Sequence, residues 1–90
     1  MIAMTVRTTQ LYEKGTASMG MIAMTKAWVT ARARETVALG RELMGGNGII
    51  LSNHVMKQFI DMEGIYTYEG TYDINTLLAG REITGLAAFK

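Results

Sequence analysis

Ninety residues make one small domain, near the lower size limit at which a single core keeps a chain folded. A net charge of +1 gives no strong electrostatic reason to bind nucleic acid or an anionic membrane surface. The absence of cysteine excludes disulfides and thiolate metal sites, and the lone histidine, His54, makes a catalytic triad or a multi-histidine metal site hard to build.

Proline is absent, which fits continuous helices, and no apolar run reaches the roughly 18–20 residues that span a bilayer. Residues 1–6 lack the length and the basic flank of a signal peptide. Helical spacing begins at once, with Met1, Met4, Thr8 and Leu11 on one face. An apolar helix that starts without a cap reads as cut from a longer chain, and the abundance of methionine suits a surface that partners cover. The first helix is expected over residues 1–14, with Gly15 as its stop.

Thr16 can cap a long second helix, expected over residues 17–44. Met21, Met24, Trp28 and Ala31 fall at spacings of three and four and read as a buried stripe. Gly20, Ala23, Ala27, Ala31 and Ala33 are small enough to let neighbouring helices come close, while Arg32, Arg34, Glu35, Arg41 and Glu42 supply the charged surface. Gly45-Gly46-Asn47-Gly48 ends this helix and admits two readings. It is either a left-handed helix stop, or a run of bare backbone N–H groups against which a phosphate can lie. It is not a dinucleotide fingerprint, since no strand precedes it and the glycine spacing differs.

Ser52 is a candidate cap for a short helix to about residue 62 that turns Val55, Phe59 and Met62 inward, with His54 a surface or half-buried residue of that helix. Residues 65–68, Ile-Tyr-Thr-Tyr, score as strand on propensity but are too isolated for a sheet, so an extended loop is expected. Thr71 caps the last helix, Asp73 lies in its first turn where the helix dipole favours an anion, and Ile74, Leu77, Leu78 and Leu86 anchor it. The fold class is therefore all-α: an antiparallel helical bundle, expected to lack its first member.

One stretch carries a chemical hint. Glu69 directly precedes Gly70-Thr71 and is surrounded by Tyr66, Tyr68 and Tyr72. A carboxylate among aromatic rings is poorly solvated, which raises its pKa toward the range of a working base. A solvated carboxylate ahead of a helix is the plainer account. Composition and spacing alone leave a helical bundle that either acts on a ligand or serves only assembly.

Two motifs in order, with a helix between them, narrow this. Leu39-Gly40-Arg41-Glu42-Leu43-Met44-Gly45-Gly46-Asn47-Gly48-Ile49, then Tyr66-Thr67-Tyr68-Glu69-Gly70-Thr71-Tyr72-Asp73-Ile74, continued by Gly80-Arg81-Glu82-Ile83-Thr84-Gly85, resemble the C-terminal helical domain of acyl-CoA dehydrogenases and acyl-CoA oxidases. The likeness is specific over roughly residues 33–89 and points to the branch of glutaryl-CoA dehydrogenases and short-chain, plant-type peroxisomal oxidases. It implies an FAD enzyme that introduces a double bond between the α and β carbons of an acyl-CoA, with Glu69 as the α-proton base. Gly70 would give the substrate room, Arg81 would match an arginine on the substrate or cofactor side, and Thr71 and Asp73 would approach the flavin.

Gly45 and Gly46 match glycines that lie against FAD held mainly by a neighbouring subunit, which implies a homodimer or homotetramer. Glu42 departs from the resemblance, because many members carry a glutamine there that hydrogen-bonds the cofactor, and a carboxylate cannot donate as an amide does. The N-terminal helical and middle β domains of such enzymes have no counterpart in residues 1–90, so this chain alone is expected to bind FAD weakly or not at all. By the same resemblance the compartment would be the mitochondrial matrix, the peroxisome or the bacterial cytoplasm. Ala88-Phe89-Lys90 does not itself read as a peroxisomal address.

Overall fold

The computed structural model describes residues 1–88; Phe89 and Lys90, and with them the reading that the last three residues are no peroxisomal address, lie outside the described residues. Four α-helices follow one another: α1 (Ile2–Glu13), α2 (Met19–Leu43), α3 (Val55–Thr67) and α4 (Tyr72–Thr84). Two 3₁₀ turns, Gly45–Ile49 and Leu51–Asn53, link α2 to α3, and there is no strand among the described residues. The all-α bundle expected from the sequence is what forms.

The 25-residue α2 is the spine, and the other three helices pack against it rather than against one another. What lets them approach is the small-residue face. Ala23 and Ala27 are only 1% and 4% exposed, Gly20 is buried beside the Glu82 side chain of α4, and among the described residues no large side chain is fully buried. Two buried threonines on this face satisfy their hydroxyls locally. Thr25 Oγ1 donates to the Met21 carbonyl at 2.9 Å and lies 2.7 Å from Thr8 Oγ1 of α1, while Thr30 Oγ1 donates to the Lys26 carbonyl at 2.6 Å. Within α1, Met4, Thr8 and Leu11 are the half-buried residues, as their spacing predicts.

Several expectations need correction. The α2 stripe of larger side chains is not the buried one: Met24 and Trp28 remain 46% and 44% exposed and border an open groove of about 290 Å³ with Tyr72 and Ile83. Ser18, not Thr16, caps α2, its Oγ accepting from Met21 N at 3.2 Å; the Thr16 hydroxyl instead donates to the Leu11 carbonyl behind it. Ser52 lies in a 3₁₀ turn, and α3 starts one residue after His54, whose φ of 67° breaks the chain direction there. α3 then runs through Ile65, Tyr66 and Thr67, so the expected extended loop shrinks to Tyr68–Gly70. On α4 the inward residue is Asn75, 6% exposed, with Leu78 and Ala79 half-buried beside it; Ile74, Leu77 and Leu86 face outward.

No helix among the described residues is long and apolar enough to cross a membrane, and no cluster of metal-ligating side chains occurs among them.

Candidate active site

The turn between α3 and α4 carries Glu69, and its geometry is set by hydrogen bonds from three directions. Tyr68 is extended, then Glu69 and Gly70 both take positive φ, 55° and 94°. Glycine adopts this region freely; a glutamate does so only when its surroundings hold it there. Thr71 closes the turn as N-cap of α4, its Oγ1 accepting from Ile74 N at 3.3 Å, as its sequence position predicts. Asn75, one turn into α4, reaches back to donate from Nδ2 to the carbonyls of Gly70 at 2.8 Å and Thr71 at 3.2 Å. A side chain at Gly70 would collide with that amide, 2.9 Å from where its Cβ would stand.

The third direction is α2. Lys26 Nζ donates to the Tyr66 carbonyl at 2.8 Å and to the Gly70 carbonyl at 2.7 Å, bridging the last turn of α3 and the start of α4. Burial lowers the Lys26 pKa from its ordinary 10.5, while the nearby Glu69 carboxylate works the other way. The ring of Tyr66 stacks on that of Tyr72 at 6.1 Å, and the Arg34 guanidinium lies over Tyr66 at 4.7 Å. Arg34 Nε also donates to Glu63 Oε1 at 2.7 Å, and this bond is the main reason its pKa is raised.

These contacts draw the tyrosines toward one another and toward Arg34 rather than around Glu69. Tyr68 and Glu69 are exposed, so the residues of this chain do not form the dry aromatic pocket that the sequence suggests.

The glycine turn after α2 resolves into three separate roles. Gly45 takes φ of 57° and ends the helix. Gly48 is buried, and a Cβ there would run into the Arg41 backbone carbonyl. Gly46 is exposed with nothing within 4 Å of its Cβ position. The left-handed stop is at Gly45, and Gly46 is left with open space where a side chain would stand. That bare backbone, free of any side chain, suits the phosphates or flat ring of a dinucleotide, so the residues present are compatible with FAD. Glu42 is exposed in the last turn of α2 beside it.

The two motifs are not neighbours. Lys26 marks the level of Gly70 on α2, and Met44 lies 18 residues further on, about 27 Å at the rise of an α-helix. Arg81 is exposed in the last turn of α4, ten residues or about 15 Å beyond Thr71, and is likewise apart from Glu69. The structure thus brings Glu69, Gly70, Thr71 and Asp73 together at one end and holds Glu42, Gly45 and Gly46 at the other.

Lys26, Asn75 and Arg34 are the participants that sequence reasoning missed. Lys26 had a legible signal, being a lone cation within the small-residue stripe of Ala23, Ala27 and Thr30. Asn75, four residues after a capping threonine, had another, because a short amide near a helix start bonds back to the preceding turn.

The family model for the C-terminal domain of acyl-CoA dehydrogenases matches residues 1–84, which is nearly the whole chain and includes both glycine-centred motifs.

Proposed function

This chain belongs to the family of acyl-CoA dehydrogenase C-terminal domains, and from that premise we propose that it is the C-terminal helical part of an FAD-dependent acyl-CoA dehydrogenase or oxidase. The observation that carries the reading is the Glu69 turn. A carboxylate on left-handed backbone, with the next carbonyl fixed by both Lys26 and Asn75, is a group held for a purpose that folding alone does not require.

In the proposed reaction Glu69 takes the α proton of the acyl-CoA thioester, whose carbonyl makes that proton acidic. The cofactor that Gly45 and Gly46 would hold, FAD, would supply the acceptor for the β hydride, so that the electron pair left at the α carbon by proton removal to Glu69 could close the double bond. Gly70 is assigned to the acyl side through its backbone, since the place a Cβ would take is filled by the Asn75 amide. Thr71 and Asp73, at the N-terminus of α4, face the cofactor side, where N–H groups and the helix dipole suit an anionic group. Arg81 is assigned to the substrate or cofactor side of a neighbouring part of the assembly, since it lies far from Glu69 along α4.

Gly45 and Gly46, with Glu42, are assigned to an FAD held chiefly by another subunit of a homodimer or homotetramer. The separation of the two motifs along α2 supports that division. The rest of each site is assigned to N-terminal helical and middle β domains. Outward-facing Ile2, Val6, Leu43 and Ile83, and a groove of about 370 Å³ between α1 and α2, support such a larger body. The run Tyr68-Glu69-Gly70-Thr71-Tyr72-Asp73-Ile74 supports the proposal that this chain is of the branch of glutaryl-CoA dehydrogenases and plant-type short-chain oxidases. Peroxide release without an electron-transfer protein would identify the oxidase.

The test of the base is Glu69→Gln in the full-length protein. Flavin content should stay near that of the unaltered enzyme, and acyl-CoA should no longer bleach the flavin. Retained bleaching would remove Glu69 from the reaction, and a colourless full-length protein would point instead to a bundle used only for assembly.

A further inference from the structure

We propose that Lys26 is a positioning residue for Glu69, its ammonium tying together the two carbonyls that bracket the turn and so fixing the direction in which the carboxylate leaves the backbone. The inference rests on the reading of Glu69 as the base. Its ground is geometric. The Tyr66 carbonyl is three residues before Glu69 and the Gly70 carbonyl is one after, and a single Nζ accepts the geometry of both at 2.8 and 2.7 Å. Between those two fixed points lie Tyr68, extended, and Glu69, with φ of 55°, a conformation that relaxes unless both ends are held.

Lys26 is placed for this by α2. It is half-buried among the buried Ala23, Ala27 and Thr30, and its head reaches the turn between α3 and α4. The charged form makes both bonds stronger than a neutral donor would. The charged groups about it are Glu69 on the turn, and Arg34 of α2 with Glu63 of α3, which are paired with each other around Tyr66. Lys26 is therefore the cation that is engaged with the turn itself. Asn75 holds the same Gly70 carbonyl from the other side but does not reach Tyr66, so it secures one end of the turn and Lys26 secures both.

A lysine that merely stopped α3 would contribute to folding and leave chemistry alone. The two roles separate in the full-length, flavin-loaded enzyme carrying Lys26→Met or Lys26→Arg, measured beside Glu69→Gln. The positioning role predicts that Lys26→Met keeps its flavin and its KM for acyl-CoA, while the limiting rate of flavin bleaching falls on the order of 10²-fold, the effect of a misplaced reacting group. Amide exchange should quicken in residues 66–75 and stay unchanged in α1, and Lys26→Arg should recover most of the rate.

Lys26→Gln, which keeps a donor without the charge or the reach, replaces Lys26→Met if the latter yields no flavin-loaded protein, with the same loss expected. An unchanged limiting rate with Glu69→Gln inactive overturns the positioning role alone. So does a loss that appears equally in KM and in flavin content. Turnover retained by Glu69→Gln overturns the assignment of the base, and the inference about Lys26 with it.

Discussion

Gly46→Ala separates a glycine kept for a ligand from glycines kept for the fold. Its neighbours in the same turn cannot do so. At Gly45, φ is 57°, so an alanine there costs about 1–2 kcal/mol in backbone strain whether or not a ligand binds. At Gly48 an added methyl meets the Arg41 backbone, and overpacking of this kind costs about 1–3 kcal/mol. Gly46 has neither burden: its φ lies outside the left-handed region and its Cβ position is empty to 4 Å. Alanine there should leave the fold as stable as before or raise its stability by about 0.4–1 kcal/mol through the unfolded chain.

If a flavin dinucleotide of another subunit lies against Gly46, the methyl separates backbone and ligand. Losing one hydrogen bond to a charged group costs about 1.5–3 kcal/mol, which is roughly 10- to 150-fold in Kd. The assay reconstitutes full-length apoprotein with FAD, reads Kd from quenching of flavin fluorescence, and records the apoprotein melting temperature for each variant. Weaker FAD binding with an unchanged or raised melting temperature is the expected result. An unchanged Kd would refute the assignment of Gly46 to the cofactor, and a lowered melting temperature would refute the open space itself.

Asn75→Ala should destabilise the domain by only about 0.5–1.5 kcal/mol in urea unfolding, because the Gly70 carbonyl keeps Lys26 and the Thr71 carbonyl keeps Asn75 N. Asn75→Asp should cost more, since it turns an acceptor toward two carbonyls. Lys26 gives a pH dependence of known sign. Its folded pKa is below the ordinary 10.5, so the unfolded state holds that proton to higher pH, and stability rises with pH between the lowered value and 10.5. Unfolding curves of the unaltered protein against Lys26→Met across that window should show the rise only where the lysine is present; parallel curves would contradict it.

Local signals explain which parts of this fold could be read from the sequence. Gly15 and Gly45 stop their helices, and Thr71 caps α4, because these depend on backbone conformation and on one nearby side chain. Thr16 and Ser52 fail for the same local reason. Each is a good capping residue, but Thr16 has its hydroxyl engaged with Leu11, and Ser52 lies within a 3₁₀ turn ahead of the left-handed His54. The helical course of Ile65-Tyr66-Thr67 is a tertiary override of strand propensity: Tyr66 lies between Arg34 and Tyr72, and its carbonyl belongs to Lys26.

The sequence pattern finds only part of the inward face of α4. Asn75, Leu78 and Ala79 are spaced as i, i+3 and i+4, and Leu78 is half-buried as expected, but the set opens on a polar residue, so the apolar pattern also points to Ile74 and Leu77, which face outward. The candidate base was legible, since a Glu-Gly-Thr run with tyrosines around it is a local feature. The lysine that holds it stands out only as a lone cation among small residues; its link to Glu69 is not legible, because it lies 43 positions earlier and only packing brings the two together.

The position of Glu69 divides the proposed site into two kinds of contribution. Direction comes from this chain, through a positive φ and carbonyls held from α2 and α4. Dryness does not, since the tyrosines expected to enclose the carboxylate are engaged elsewhere or face outward and Glu69 stands exposed. A base needs both, because desolvation is what raises a carboxylate toward a working pKa and orientation is what brings it to the α carbon. On the proposed reading the neighbouring domains, the flavin and the acyl-CoA itself must therefore exclude the water. Access of water to the turn should then depend on assembly: amide exchange of residues 68–71, read by mass spectrometry, should be slower in the substrate-bound full-length enzyme than in its apoprotein. Equal exchange would mean that the assembled site leaves Glu69 as wet as it is here, and the proton would need another acceptor.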